Sequence, residues 1–140
     1  MSGKPRILCV DDQESTLTIR ALLLQQFGCD TIAVSDHNSA LKALTENQVD
    51  LMLIDYHLAD NVTGDEIARD VRALRPQIPL VMLTGDAKIP DAAIASVDAV
   101  LVKGQSSPRD LFDIIQKLLP QAPLKPMRPM LIPEKPTKAS

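Results

Sequence analysis

Short apolar runs alternate with longer amphipathic stretches along most of the chain. Four runs stand out, at residues 7–10, 51–54, 80–83 and 100–102, and a weaker one lies at 31–34. They are short and aliphatic, several of them β-branched, and lack strict alternation. That pattern predicts strands buried on both faces of a sheet.

Helical spacing fills the gaps between the runs. Leu17, Leu24 and Phe27 mark one face of a first helix, with Ala21 and Leu23 close by, and Gly28 is placed to end it. Residues 36–47 carry Ala40, Leu41 and Leu44 at helical spacing, with His37 at the start on the surface. Residues 64–74 place Ile67, Val71 and Leu74 together and stop before Pro76. The final helix, 108–119, has Ser107 as cap, Pro108 in the first turn and Asp110 at the positive end. Its buried face is Leu111, Ile114, Ile115, Leu118 and Leu119. Between Lys88 and Asp98 only about two turns fit, because Pro90 delays the start. Five strand–helix alternations imply right-handed crossovers and a doubly wound parallel sheet, an α/β fold with helices on both faces. After Leu119 the pattern collapses: six prolines forbid a regular helix or a central strand. The expected organisation is therefore one domain over residues 4–119 and a Pro-rich flexible tail or linker stub over 120–140.

Composition narrows the function classes. The chain has 140 residues, 45% of them hydrophobic, with no Trp, one Tyr (Tyr56) and two Phe (Phe27, Phe112). An aliphatic core of this kind suits a helix-covered sheet better than an aromatic platform for nucleic acid. The formal net charge of −3 gives no general attraction for nucleic acid or anionic lipid. Cys9 lies inside a strand run and Cys29 follows Gly28. Neither belongs to a ligand cluster, so both are expected as free thiols in a reducing cytoplasm. No run reaches membrane-spanning length, and no signal peptide precedes the first strand.

The chemistry collects after the strands. The first runs into Asp11 and Asp12, the third into Asp55, the fourth into Thr84 and the fifth into Lys103. In a parallel sheet all of these emerge at one carboxyl edge, where such folds place their ligands. Three clustered carboxylates repel one another unless a cation intervenes, and their oxygens suit Mg²⁺. Each acidic residue alone reads as a solvated turn residue; the joint occurrence at four strand ends is what carries the inference. Ionised Asp55 can attack phosphorus without a general base, and Lys103, Thr84 and the amide of Gly85 can contact phosphoryl oxygens. A nucleotide site is disfavoured because the first strand–helix turn is DDQES, without phosphate-cradling glycines. A Ser-His-Asp hydrolase does not assemble either, since His57 has no serine partner in view.

At these residues the chain closely resembles the receiver domains of bacterial two-component response regulators. The resemblance covers residues 4–119 and rests on ILCVDD, LMLIDYHLAD, VMLTGD and VLVKG. It implies a flavodoxin-like sheet in the order 2-1-3-4-5, with Asp55 as phosphoacceptor. Asp11, Asp12, Asp55 and the backbone carbonyl of His57 would be the ligands of Mg²⁺, with Mn²⁺ as a substitute. Thr84 and Lys103 would act on the phosphoryl group, and His57, Gly85 and Asp86 would tune access and dephosphorylation. The donor would be a histidine kinase or a histidine phosphotransfer protein. The reactions would be self-phosphorylation and autodephosphorylation, and the location cytoplasmic.

Several positions depart from the common pattern. Val100 stands where many relatives carry a Tyr or Phe that moves with the threonine, so the aromatic rotation is not expected here. Gly104 replaces a common proline after Lys103, and only nineteen positions separate Thr84 from Lys103. These changes disfavour a dimer through the fourth helix, fifth strand and fifth helix, and predict a monomer or weak dimer. The loop LADNVTG is longer by one residue than a common version and resembles that of receivers attached to hybrid sensor kinases. Two other classes stay open at this point: a phosphate-independent binding module on the same fold, and an aspartate-nucleophile phosphatase. The second lacks a carboxylate two residues after Asp55, where His57 stands.

Overall fold

The computed structural model describes residues 3–86 and 88–125. Five parallel strands, β1 (Arg6–Val10), β2 (Asp30–Val34), β3 (Leu51–Asp55), β4 (Leu80–Thr84) and β5 (Ala99–Val102), form one sheet in the order β2-β1-β3-β4-β5. Five helices connect or follow them: α1 (Glu14–Gln26), α2 (His37–Glu46), α3 (Gly64–Leu74), α4 (Asp91–Ala95) and α5 (Pro108–Leu118). The expected doubly wound topology and strand order are both present.

Side chains alternate across the sheet and so feed two cores. Leu8, Val10, Met52, Ile54 and Leu80 pack with Ala40 and Leu44 of α2 and Ile67, Ala68 and Val71 of α3. Ile7, Cys9, Leu51, Leu53, Val81 and Leu83 face the other way, onto Leu17 and Leu24 of α1, Phe27, and Leu111 and Ile115 of α5. Only the central strands β1, β3 and β4 are buried throughout or nearly so. The edge strands β2 and β5 are half-buried, because each has a neighbour on one side alone. Both cysteines are buried free thiols; burial pushes Cys9 up to about 12 and Cys29 up to about 11.

Local chemistry sets the helix ends. Asp36 accepts a hydrogen bond from the Ser39 amide at 2.8 Å, which holds its carboxyl below the usual range. Ser107 and Asp110 form a reciprocal capping box, with Pro108 at the first turn of α5. Gly28 takes φ +88° just past α1, the left-handed conformation a helix end uses. α4 is a helix of five residues that buries Ala93 alone. Leu74, expected in the buried face of α3, is instead 47% exposed; as the last residue of that helix it lies beyond its packed stretch.

Of the expected tail, residues 126–140 lie outside the described residues. Residues 120–125 turn back instead of leaving: the Lys125 amide donates to the Phe27 carbonyl at 2.8 Å, and Leu124 packs on the core beneath α1 and α5. No described helix is long and apolar enough to cross a membrane.

Candidate functional site

Strand register brings the acidic residues level. Val10 of β1 pairs with Ile54 of β3, so the next residues, Asp11 and Asp55, stand side by side at the carboxyl edge. Asp55 in turn pairs with Leu83, which puts Thr84 one residue further out, and Thr84 pairs with Val102 just before Lys103. The Lys103 amide donates to the Thr84 carbonyl at 2.7 Å and prolongs the ladder by one bond. Gly104 then turns the chain with φ +83°.

Asp11, Asp12 and Asp55 each offer a carboxylate oxygen, and these oxygens lie within 4.8 Å of one another. Asp11 and Asp55 are buried and Asp12 is exposed, so the cluster opens to solvent on one side. Lys103 Nζ lies 2.6 Å from Asp55 Oδ1 and 3.9 Å from Asp11 Oδ2. Burial raises the Asp55 pKa above the ordinary carboxylate value, and the hydrogen bond and charge of Lys103 work against that rise. Three hard oxygen donors gathered around one point, with two of them desolvated, suit a divalent cation. The donor set fits such an ion: it is all oxygen, and like charges held this close are stabilised by a cation between them.

The remaining expected residues surround this cluster in different ways. Thr84 is buried, but its hydroxyl is engaged in its own loop, accepting from the Asp86 amide at 3.0 Å. Gly85 faces open space, where an added Cβ would meet nothing within 4 Å. His57 and Asp86 reach across the mouth from the loops after β3 and β4, with Nε2 and Oδ2 2.7 Å apart and both side chains exposed. Val100 pairs with Met82 and borders a small cluster of Tyr56, Met82 and Ala93. The one aromatic residue of that cluster, Tyr56, is the residue after Asp55.

The loop after Asp55 is shaped by the long LADNVTG segment. Asp60 and Asn61 take φ of 62° and 59°, residue types that tolerate the left-handed region. The turn carries Thr63 back to bridge His57. Leu58 donates to the Val62 carbonyl and Gly64 to the Tyr56 carbonyl, so the bridge is closed by the neighbours of His57. The N–H and C=O of His57 consequently face away from Thr63.

Two residues of the site escaped the sequence reading. Gly64 begins α3 against the backbone of the acceptor: a Cβ there would lie 2.6 Å from the Asp55 carbonyl oxygen. Arg20 projects from α1, with Nη1 3.3 Å from Asp11 Oδ2 and only 11% of its side chain exposed. Its signal was present, since residue 20 falls three after Leu17 and four before Leu24, on the buried stripe of the helix.

Comparison with known proteins assigns the architecture. The family model described as the response regulator receiver domain matches residues 7–116. The chain belongs to that family. A receiver domain protein from Methanospirillum hungatei has the same fold, with a TM-score of 0.74 and 29% identity over 84% of this chain and 96% of that one. The receiver is 31% identical over 86% of its length to the transcriptional regulatory protein ZraR of Salmonella typhimurium, of which it spans 26%. It is 37% identical over 58% of its length to the autoinducer sensor kinase/phosphatase CqsS of Vibrio cholerae, of which it spans 12%. The receiver thus corresponds to about a quarter or less of these longer relatives. The fold and the acidic cluster are those of phosphoaccepting signal-transduction domains.

Proposed function

We propose that this receiver accepts a phosphoryl group on Asp55 from the phosphohistidine of a histidine kinase or a histidine phosphotransfer protein, and that the modification changes its affinity for a protein partner. The observation that carries this reading is the Lys103–Asp55 pair, 2.6 Å apart, at the rim of a cluster of three carboxylates. Mg²⁺, with Mn²⁺ as a substitute, would be held by Asp11, Asp12, Asp55 and the His57 carbonyl. When bound it supplies a Lewis acid that offsets charge on the phosphoryl oxygens. The outward-facing His57 carbonyl supports its place in that set.

The chain's own residues do the rest. Ionised Asp55 attacks phosphorus; the new O–P bond forms as the N–P bond of the donor breaks, and the imidazole leaves, taking a proton from solvent. Lys103 keeps Asp55 ionised despite its burial and then pairs with a phosphoryl oxygen. The Thr84 hydroxyl exchanges its Asp86 contact for another phosphoryl oxygen. Gly85 leaves room for the donor, and His57 and Asp86 tune how long the aspartyl phosphate survives. Transfer to itself and hydrolysis of its own product are the reactions proposed, with no independent turnover of external phosphomonoesters expected.

The working unit is residues 4–119, in the cytoplasm, as a monomer or weak dimer, without direct binding of nucleic acid or insertion into membrane. Relatives of both kinds, regulators and sensor kinases, fit such a module. The test is intact-protein mass after incubation with phosphoramidate or acetyl phosphate, with and without Mg²⁺, beside Asp55→Ala. A Mg²⁺-dependent gain of one phosphoryl group, lost in the variant, is expected. No gain, with a histidine-phosphorylated donor failing as well, would favour a phosphate-independent binding module.

A further inference from the structure

Arg20 is a charge on a helix face that is otherwise apolar. Leu17 and Leu24, on the same stripe, are buried in the core beneath α1. A guanidinium in that position is costly unless it meets an anion. The anion it meets is Asp11, 99% buried, through Oδ2 at 3.3 Å. The other oxygen of Asp11 accepts from the Gln13 amide at 2.9 Å. Oδ2 is therefore the Asp11 oxygen not used by the backbone, and it lies between Arg20 at 3.3 Å and Lys103 at 3.9 Å. Arg20 also exerts a pull on Asp55 that favours its ionised form.

The two cations have different tasks. Lys103 is closer to Asp55 and 38% exposed, so it can follow the acceptor as its charge changes. Arg20 is enclosed, comes from a helix rather than a loop, and has no contact with Asp55 among the described ion pairs. With three carboxylates and two built-in cations, the pocket holds one net negative charge. Without Arg20 it would hold two.

We propose that Arg20 is a positioning residue that occupies Asp11 in the metal-free receiver and must yield its oxygen when a divalent ion binds, so that this receiver takes up Mg²⁺ more weakly than its three carboxylates alone would. The inference rests on the reading of Asp11 as a metal ligand. It adds a device: the site has an internal counter-ion that competes with the metal, keeps the carboxylates in place between phosphorylation events, and makes occupancy sensitive to the free Mg²⁺ concentration.

The test is a Mg²⁺ titration of the full chain, read calorimetrically and by the fluorescence of Tyr56, which follows Asp55 in sequence. Wild type, Arg20→Met, Arg20→Lys and Asp11→Asn are compared, with melting curves recorded for each. Arg20→Met should bind Mg²⁺ roughly fivefold or more tightly, as expected for removing one positive charge a few ångströms from a divalent ion in a partly solvated site. Arg20→Lys, which keeps the charge, should stay near wild type, and Asp11→Asn should weaken or abolish the titration. Unchanged or weaker binding in Arg20→Met, with or without a lower melting temperature, would overturn the proposal and leave Arg20 a structural ion pair. A titration unaffected by Asp11→Asn would instead overturn the metal-ligand reading itself, and this inference with it. Should Arg20→Met fail to fold, Arg20→Gln provides the same loss of charge with a polar tip.

Discussion

Lys103 stands closer to Asp55 than to Asp11, 2.6 Å against 3.9 Å, so the more exposed of the site's two cations is committed to the acceptor before any phosphoryl group arrives. Its loss should act on the transition state, in which charge builds on the transferred group. Lys103→Met should lower the rate of labelling by phosphoramidate by roughly 10²-fold, the scale for removing one preorganised donor. Lys103→Arg should recover part of it. Time courses of intact mass at saturating Mg²⁺ give the answer, and a rate within about twofold of wild type would sink the assignment.

Asp55 is a buried carboxylate whose pKa is raised chiefly by desolvation. A raised pKa means that the folded chain binds this proton more readily than the unfolded one, so ionisation at neutral pH weakens the fold. The penalty is present above the folded pKa and relieved as pH falls through it. Asp55→Asn should therefore melt roughly a few degrees higher than wild type at neutral pH. The gap should narrow on acidification toward and below that raised pKa. Differential scanning calorimetry without divalent ions checks both points; a variant less stable at neutral pH would contradict this account of the carboxylate.

Gly64 is needed for space, not for an unusual backbone angle. A Cβ at this position would fall 2.6 Å from the Asp55 carbonyl oxygen and 3.2 Å from the Tyr56 backbone, neither of which can step aside cheaply. Gly64→Ala should cost about 1–3 kcal/mol in urea denaturation, as overpacking does elsewhere. It should also slow phosphorylation, because relief of the clash moves the acceptor strand. A neutral substitution would show that α3 can slide away.

His57 and Asp86 join two loops over the mouth of the site. Removing one side of the pair, in His57→Ala or Asp86→Ala, should open the approach of water and shorten the life of the aspartyl phosphate several-fold. The decay of phosphorylated protein after donor removal measures this. Equal or longer lifetimes in both variants would reject the pair as a barrier.

The two thiols should be inert in the native protein, with Cys9 pushed to about 12 and Cys29 to about 11 by burial. Native protein at mildly alkaline pH should react with neither thiol on the timescale of minutes, and with both once denatured. Rapid native labelling of either would show an opening that the packing does not suggest.

Most of the architecture was legible because burial on both faces leaves a strong mark. The runs at β1, β3 and β4 are continuous aliphatic stretches, and their ends deliver Asp11, Asp55 and Thr84 to a single edge. The end of Gly64–Leu74 could be read from Pro76, and the start of α5 from Ser107 and Pro108. What could not be read depends on contacts between distant segments. Leu74 fits the helical period of α3 yet sits at its exposed end. Arg20 reads as an ordinary helix charge until Asp11, nine residues earlier, is seen to close on it. Lys125 follows two prolines in a stretch with no periodicity, and only the folded chain shows its amide meeting Phe27. Tyr56 likewise carries no sign in the sequence of its burial with Met82 and Ala93, in the cluster that Val100 borders.

That meeting of Lys125 with Phe27 makes the domain mechanically lopsided. On one side of the sheet, α1 and α5 are tied by the return of the chain and by the edge-to-face contact of Phe27 with Phe112, whose ring centroids are 5.1 Å apart. On the other, α2 and α3 sit on a core of their own, but α4 has five residues and one buried alanine to hold it. A load applied at the strand ends, where the acidic cluster lies, meets a packed frame and one weakly held helix. Displacement goes where the restoring force is least, so a shape change driven from the acidic cluster should concentrate around α4 and the cluster of Tyr56, Met82 and Ala93, while the α1–α5 side stays still as the frame against which it moves.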